Sequence, residues 1–175
     1  MEGRESCKLV TIMWNFHKVR LARVWVFCDG GLSVADYGDA PRPAPALEFS
    51  PGCGALVRND DGAILDWAWR TLPQVTSVEA EYAGLLLGVE LARRQATNEV
   101  IFVMDSAVVV GQMTGRFAVN SPRLRRWYRQ ACEATQRLPK VGFRHVPRAW
   151  NPLADALARQ AGLPWAALRA QLEKE

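Results

Sequence analysis

Hydrophobic positions first fall into register at Val24, Val26 and Cys28, which alternate with Trp25 and Phe27 as in a strand. That strand ends in Asp29-Gly30-Gly31, and a long loop rich in proline (Pro41, Pro43, Pro45, Pro51) follows. A connection of that length inside a compact domain reads as an insertion or flap. Two further strands, about Cys53 to Arg58 and Ile64 to Thr71, flank Asn59-Asp60-Asp61-Gly62, a hairpin signal. The apolar spacing then widens to a helical period over Val78 to Gln95, with Thr76 or Ser77 as N-cap. Val100 to Met104 is a continuous apolar run, the mark of a strand buried on both faces. Helices are predicted over Ser106 to Met113 and Pro122 to Arg137, and a last strand over Val141 to Val146. A helix follows from Asn151 to Gln160, opened by an Asn cap and Pro152 at its first position, and a terminal helix over Pro164 to Lys174. Three meandering strands followed by alternating helices and strands imply an α/β mixed sheet with helices on both faces.

Composition narrows the class without changing this picture. At 175 residues, 49% hydrophobic and 23% charged, the chain has the make-up of a single globular domain. Its apolar runs reach about five residues, where a membrane span needs roughly 20, and the charged start is unlike a signal peptide. The four cysteines (Cys7, Cys28, Cys53, Cys132) show no metal-ligand spacing, so reduced thiols in the cytoplasm are expected, and a monomer without membrane contact is expected as well. Charge is unevenly spread. Between Ser121 and Trp150 stand Arg123, Arg125, Arg126, Arg129, Arg137, Lys140, Arg144 and Arg148 against Glu133 alone. Such a region suits a polyanion, or equally a solvated helix face.

The acids carry the chemistry. Asp29 and Asp105 each terminate a core strand, and ligands of open α/β sheets bind at the carboxyl ends of strands. The alternative for Asp105 is a cap on the helix that starts at Ser106. On a helical wheel Glu81 shares a face with Val78, Leu85, Gly88 and Ala92, whereas Glu79 falls with Glu90 and Arg93 on the side read as solvated. A carboxylate turned toward a sheet needs a partner, either a cation or a basic side chain. Asp155 lies in the first turn of the Asn151 helix, where a helix-dipole acid is the alternative. Four oxygen ligands without Cys or His suit Mg2+ or Mn2+, and a pair of such ions suits phosphoryl transfer.

These segments resemble the type 1 ribonuclease H family. Trp25-Val-Phe-Cys-Asp29-Gly30-Gly31 is similar to its first strand, and Pro51-Gly-Cys-Gly-Ala55 to the turn into its second. Thr76-Ser-Val-Glu-Ala80-Glu81-Tyr-Ala83 resembles its Thr-Asn-Asn-x-Ala-Glu helix start, and Val103-Met-Asp105-Ser106 its Asp-Ser strand end. His145-Val-Pro-Arg148, then Asn151-x-x-Ala154-Asp155-x-Leu157-Ala158, resembles its closing motif. The resemblance covers about residues 22–162, leaving 1–21 as an N-terminal extension and 163–175 as a helical tail. It implies the ribonuclease H-like fold, with three antiparallel strands and then two parallel ones. It also implies two-metal hydrolysis of the RNA strand of RNA/DNA hybrids.

By the same resemblance Asp29, Glu81, Asp105 and Asp155 are the catalytic, metal-holding acids. Asp29 bridges two ions, Asp155 completes the nucleophile side, and Glu81 with Asp105 completes the leaving side. His145 matches a mobile histidine that aids product release or proton movement, with a structural strand-end histidine as the alternative. Gly30, Thr76, Ser77 and Asn151 are implied to meet the substrate, Thr76 through a phosphate. The chain departs from the family where Ser77-Val78 replaces the Asn-Asn pair, where residues 31–50 lengthen the first loop, and where a basic protrusion is missing. Arg116, Arg123, Arg125 and Arg126 are the nearest substitutes for that protrusion. The rival functions are a DNA-cutting nuclease of the same fold and a non-catalytic hybrid-binding protein.

Overall fold

The computed structural model describes residues 20–32 and 51–159. The expected N-terminal extension (except its last two residues), most of the long first loop and the terminal helix lie outside the described residues.

Five strands, β1 (Val24–Leu32), β2 (Pro51–Arg58), β3 (Ile64–Thr71), β4 (Glu99–Met104) and β5 (Lys140–His145), form one sheet in the order β3-β2-β1-β4-β5. β1 and β2 pair antiparallel, as do β2 and β3, whereas β1–β4 and β4–β5 pair parallel. The β2–β3 hairpin turns where Asn59-Asp60-Asp61-Gly62 predicts it. Gly62 takes φ +86° there, and Asn59 Oδ1 accepts from the Ala63 amide at 2.8 Å. Sheet pairing starts before β1, since Leu21 bridges Thr97 one residue ahead of the expected domain start.

The alternation along β1 sorts its side chains onto two faces. Val24, Val26 and Cys28 enter the larger core with Ala55, Val57, Phe102 and Met104, beneath helix α1 (Ser77–Ala92). Phe27 turns the other way, with Leu56 and Trp67, under Leu153, Ala154 and Leu157 of α4 (Pro152–Arg159). Burying a residue such as Phe102 or Leu56 contributes about 1.5–3 kcal/mol. Helices therefore cover both faces, as expected.

α2 (Ala107–Met113) and α3 (Pro122–Thr135) are the remaining α-helices among the described residues, and Ala131 of α3 joins the α1 core. With the sheet on one side and α3 on another, no residue of α1 from Glu79 to Ala92 is exposed. The wheel that left Glu79 in solvent assumed a wet face along the whole helix, whereas only the Glu90 end of that face keeps a partly exposed side chain, 42%. Glu79 is 2% exposed.

Candidate active site

β1 and β4 run side by side only as far as Phe27↔Val103. Beyond that pair β1 does not end at Asp29, as its Gly30-Gly31 suggested. It continues along β2 to Leu32, with Asp29 opposite Gly54. Asp29 is thus a buried strand residue at the point where the central strands part, and Asp105 follows directly on Met104, the last residue of β4. Asp105 is not the cap of α2, because the Ser106 hydroxyl accepts from the Val109 amide.

α1 brings the third acid. Its backbone lies so close to β1 that a Cβ on Gly30 would stand 2.0 Å from the Ala80 carbonyl carbon, and one on Gly84 2.4 Å from the Asp29 carbonyl oxygen. One carboxylate oxygen from each of Asp29, Glu81 and Asp105 then falls within 4.8 Å of the others. Burial, followed by the charges of Asp105 and Asp155, raises the Asp29 carboxyl to about 7, against the pull of Arg148 and the Gly30 amide. Burial, then Asp29 and Asp105, raises Glu81 to about 9. Glu81 Oε2 is buried without a hydrogen-bond partner. Three crowded carboxylates, one with an orphaned oxygen, fit a hard divalent cation. It would meet oxygen ligands alone and would relieve the repulsion.

Asp155 stands apart from that trio. It forms an ion pair with Arg148, and another with Arg159 at 3.2 Å. Its charge nevertheless reaches Asp29. Arg148 feels Asp155, Asp29 and Asp105 together, which makes it a cation shared by these acids. Charge pattern alone does not separate Arg148 from its seven basic neighbours, and the His145-Val-Pro-Arg148 motif marks its place without giving it a role. It is singled out by its place at the start of the 3-10 turn Arg148–Trp150, just before α4, and by its ion pair with Asp155 of that helix.

Asn151 lies 1% exposed directly before α4, where its carbonyl accepts from the Asp155 amide at 3.1 Å as a cap residue does, although its side chain does not cap the helix and turns inward instead. Its Nδ2 donates to the Cys28 carbonyl at 2.9 Å and reaches Asp105 Oδ1 at 3.5 Å, while its Oδ1 has no partner. His145 Nε2 is 3.3 Å from the Asp105 carbonyl oxygen, on an exposed side chain beside the trio.

Gly30 is buried at the β1–α1 contact, and Thr76 and Ser77 open α1 at the surface. Thr76 is the N-cap, in a capping box with Glu79. Arg123 is ion-paired to Glu79 at 2.5 Å. Arg125 donates to the Val119 and Asn120 carbonyls. Arg126 is exposed.

A sheet of this order, with acids gathered where its two central strands separate, defines a domain of the ribonuclease H-like fold. The N-terminal ribonuclease H domain of a Mycobacterium tuberculosis protein, solved as a fusion with maltose-binding protein, superposes with TM-score 0.67 at 31% identity. That match covers 86% of this chain and 98% of that one. Ribonuclease H1 of Halobacterium salinarum superposes with TM-score 0.66 at 31% identity, over 80% of this chain and 97% of that one.

The family described as reverse transcriptase-like matches residues 49–161. A bifunctional protein of Mycobacterium tuberculosis is 36% identical over 128 residues, 73% of this chain. Ribonuclease HI of Halobacterium salinarum is 34% identical over 134 residues, 75% of this chain and 65% of that protein. The chain belongs to the type 1 ribonuclease H family. It spans about a third of the length of the mycobacterial relative, 34%.

Proposed function

We propose that this chain is a divalent-metal-dependent endonuclease that hydrolyses the RNA strand of RNA/DNA hybrids, leaving 3′-hydroxyl and 5′-phosphate ends. The observation that carries the reading is the Asp29–Glu81–Asp105 trio, whose oxygens lie within 4.8 Å of one another at the parting of β1 and β4. A related ribonuclease H1, 25% identical with TM-score 0.64, has been solved in complex with an RNA/DNA hybrid.

Asp29, Glu81 and Asp105 would hold Mg2+ or Mn2+, with Asp155 at the edge available to a second ion. The chemistry such a pair supplies is stabilisation of charge at the attacking and leaving oxygens of a phosphodiester. The chain's own residues prepare the place. Arg148 offsets the negative field and holds Asp155, Asn151 braces Asp105 against β1, and exposed His145 would carry a proton or help product leave, a role its contact with the Asp105 carbonyl supports. An exposed arginine of α3 would meet the phosphate backbone, and contacts to the 2′-hydroxyl would distinguish RNA from DNA. We further propose a monomer, and a cytoplasmic location that the free thiols of Cys28, Cys53 and Cys132 support.

The test is cleavage of end-labelled hybrid, duplex DNA and duplex RNA, with and without Mg2+ or Mn2+. Cleavage of the hybrid alone, and only with metal, is expected. Cutting of duplex DNA would instead favour a DNA nuclease of this fold, and hybrid binding without cutting a scaffold.

A further inference from the structure

We propose that Glu79 is a positioning residue that fixes Arg123 at the start of α1, and that Arg123 is thereby the guanidinium that meets a hybrid phosphate. The inference rests on the reading that the hybrid is the substrate.

A buried carboxylate is costly unless donors surround it. The Glu79 side chain is 3% exposed, and three donors meet it. The Thr76 amide and hydroxyl donate to Oε2 at 2.7 and 2.9 Å, and Arg123 Nε donates to Oε1 at 2.5 Å. A glutamine at this position would still close a capping box. The negative charge is therefore not needed for the cap, and what it adds is Arg123.

The Arg123 side chain is 63% exposed and is held through Nε alone. Its two Nη groups donate to nothing among the described residues, which leaves part of a five-donor fork for a second acceptor. Guanidinium groups meet phosphate oxygens in this planar manner. Thr76, in contrast, has one hydroxyl hydrogen and gives it to Glu79. While that bond stands Thr76 cannot donate to a phosphate, so the donor role implied for its hydroxyl passes to Arg123.

The neighbouring arginines are placed differently. Arg125 is committed to the carbonyls of Val119 and Asn120, and exposed Arg126 has no anchor among the described residues. Of these three, only Arg123 is both fixed by a carboxylate and open to solvent.

Binding of a fluorescent RNA/DNA hybrid is measured by anisotropy in EDTA at three salt concentrations, for wild type, Glu79→Gln, Arg123→Ala and the double variant. Each single change should weaken binding severalfold and reduce the slope of log affinity against log salt by about 0.7–0.9, one phosphate contact. The double variant should bind no worse than Arg123→Ala. A purely structural role for Glu79 would lower the melting temperature without altering the salt slope. If a single variant melts early, the double variant, which buries no unpaired charge, carries the comparison. Unchanged slopes or additive losses overturn the proposal. If wild type still cleaves the hybrid in that case, the functional reading survives. A slope loss on a hybrid that wild type binds but never cuts defeats the functional reading and leaves the role of Glu79 and Arg123 standing. A wild type that neither binds nor cuts defeats both.

Discussion

Glu79 and Glu81 stand two positions apart on α1, and their surroundings drive them in opposite directions. Burial acts to raise Glu79, but the Thr76 amide, Arg123 and the Thr76 hydroxyl outdo it, and its carboxyl ends below the usual range. Glu81 has burial and two acids against it and rises to about 9. The sequence pattern placed Glu81 correctly and Glu79 wrongly. The inward face of a helix can be read from its small residues, but a helix covering its outer side leaves no trace in its own periodicity.

A pH dependence follows from the raised acids. Asp29 moves from 3.8 to about 7 and Glu81 from 4.5 to about 9, so each binds its proton more tightly folded than unfolded. Between roughly pH 4 and 9 the folded state then holds more protons, and stability in EDTA should fall as pH rises. Denaturant midpoints from pH 5 to 9 should show this decline, with a shallower one for Glu81→Gln. A flat profile for wild type would contradict the crowding of the acids.

The trio also ranks the acids. Asp105→Asn should reduce metal-dependent cleavage by orders of magnitude while leaving the circular dichroism spectrum intact. Asp155→Asn should cost much less, because Asp155 stands outside the trio and is held by arginines. Equal losses in single-turnover assays would place Asp155 on a par with the others.

At the level of elements, the site depends on how closely α1 lies over β1. The Gly30-Gly31 pair reads in sequence as a strand end, yet the strand runs through it. Gly30 is needed there because α1 crosses above, not because the chain turns. A motif of that kind is ambiguous until the crossing helix is known.

Gly84 is the matching position on the helix, and its added Cβ would press on the Asp29 carbonyl oxygen, a backbone atom that cannot swing aside. Gly84→Ala should therefore destabilise the domain by about 1–3 kcal/mol, as overpacking does. It should also lower metal-dependent activity, because Glu81 is carried on the displaced helix. Gly31→Ala is the control, since its Cβ would meet nothing within 4 Å. Denaturant melts and cleavage rates of the two variants should diverge, and equal tolerance would show that the β1–α1 contact is looser than described.

Across the whole molecule, element order was legible from hydrophobic period and turn chemistry, and the hairpin fell where Asn59 and Gly62 place it. Strand order is another matter. The neighbouring of β1 and β4 pairs Val24 with Val100, a long-range match that no local pattern encodes and that was available only through the family resemblance. That pairing draws together Asp29, Glu81 and Asp105, from a strand, a helix and the residue after another strand. A cation held by all three would bind the folded chain and not the unfolded one, and so would tie distant parts of the sequence together. At a hundred times its dissociation constant such a ligand adds about 2.7 kcal/mol, which for a domain of this size raises the melting temperature by several degrees. Thermal melts at pH 8 should therefore show a rise with Mg2+ or Mn2+ that saturates, and addition of EDTA should reverse it. Asp105→Asn should lose most of the rise while melting no lower than wild type in EDTA, since removing one of three repelling charges relieves the metal-free fold. A shift that persists in Asp105→Asn would mean that the ions stabilise the protein from somewhere other than this trio.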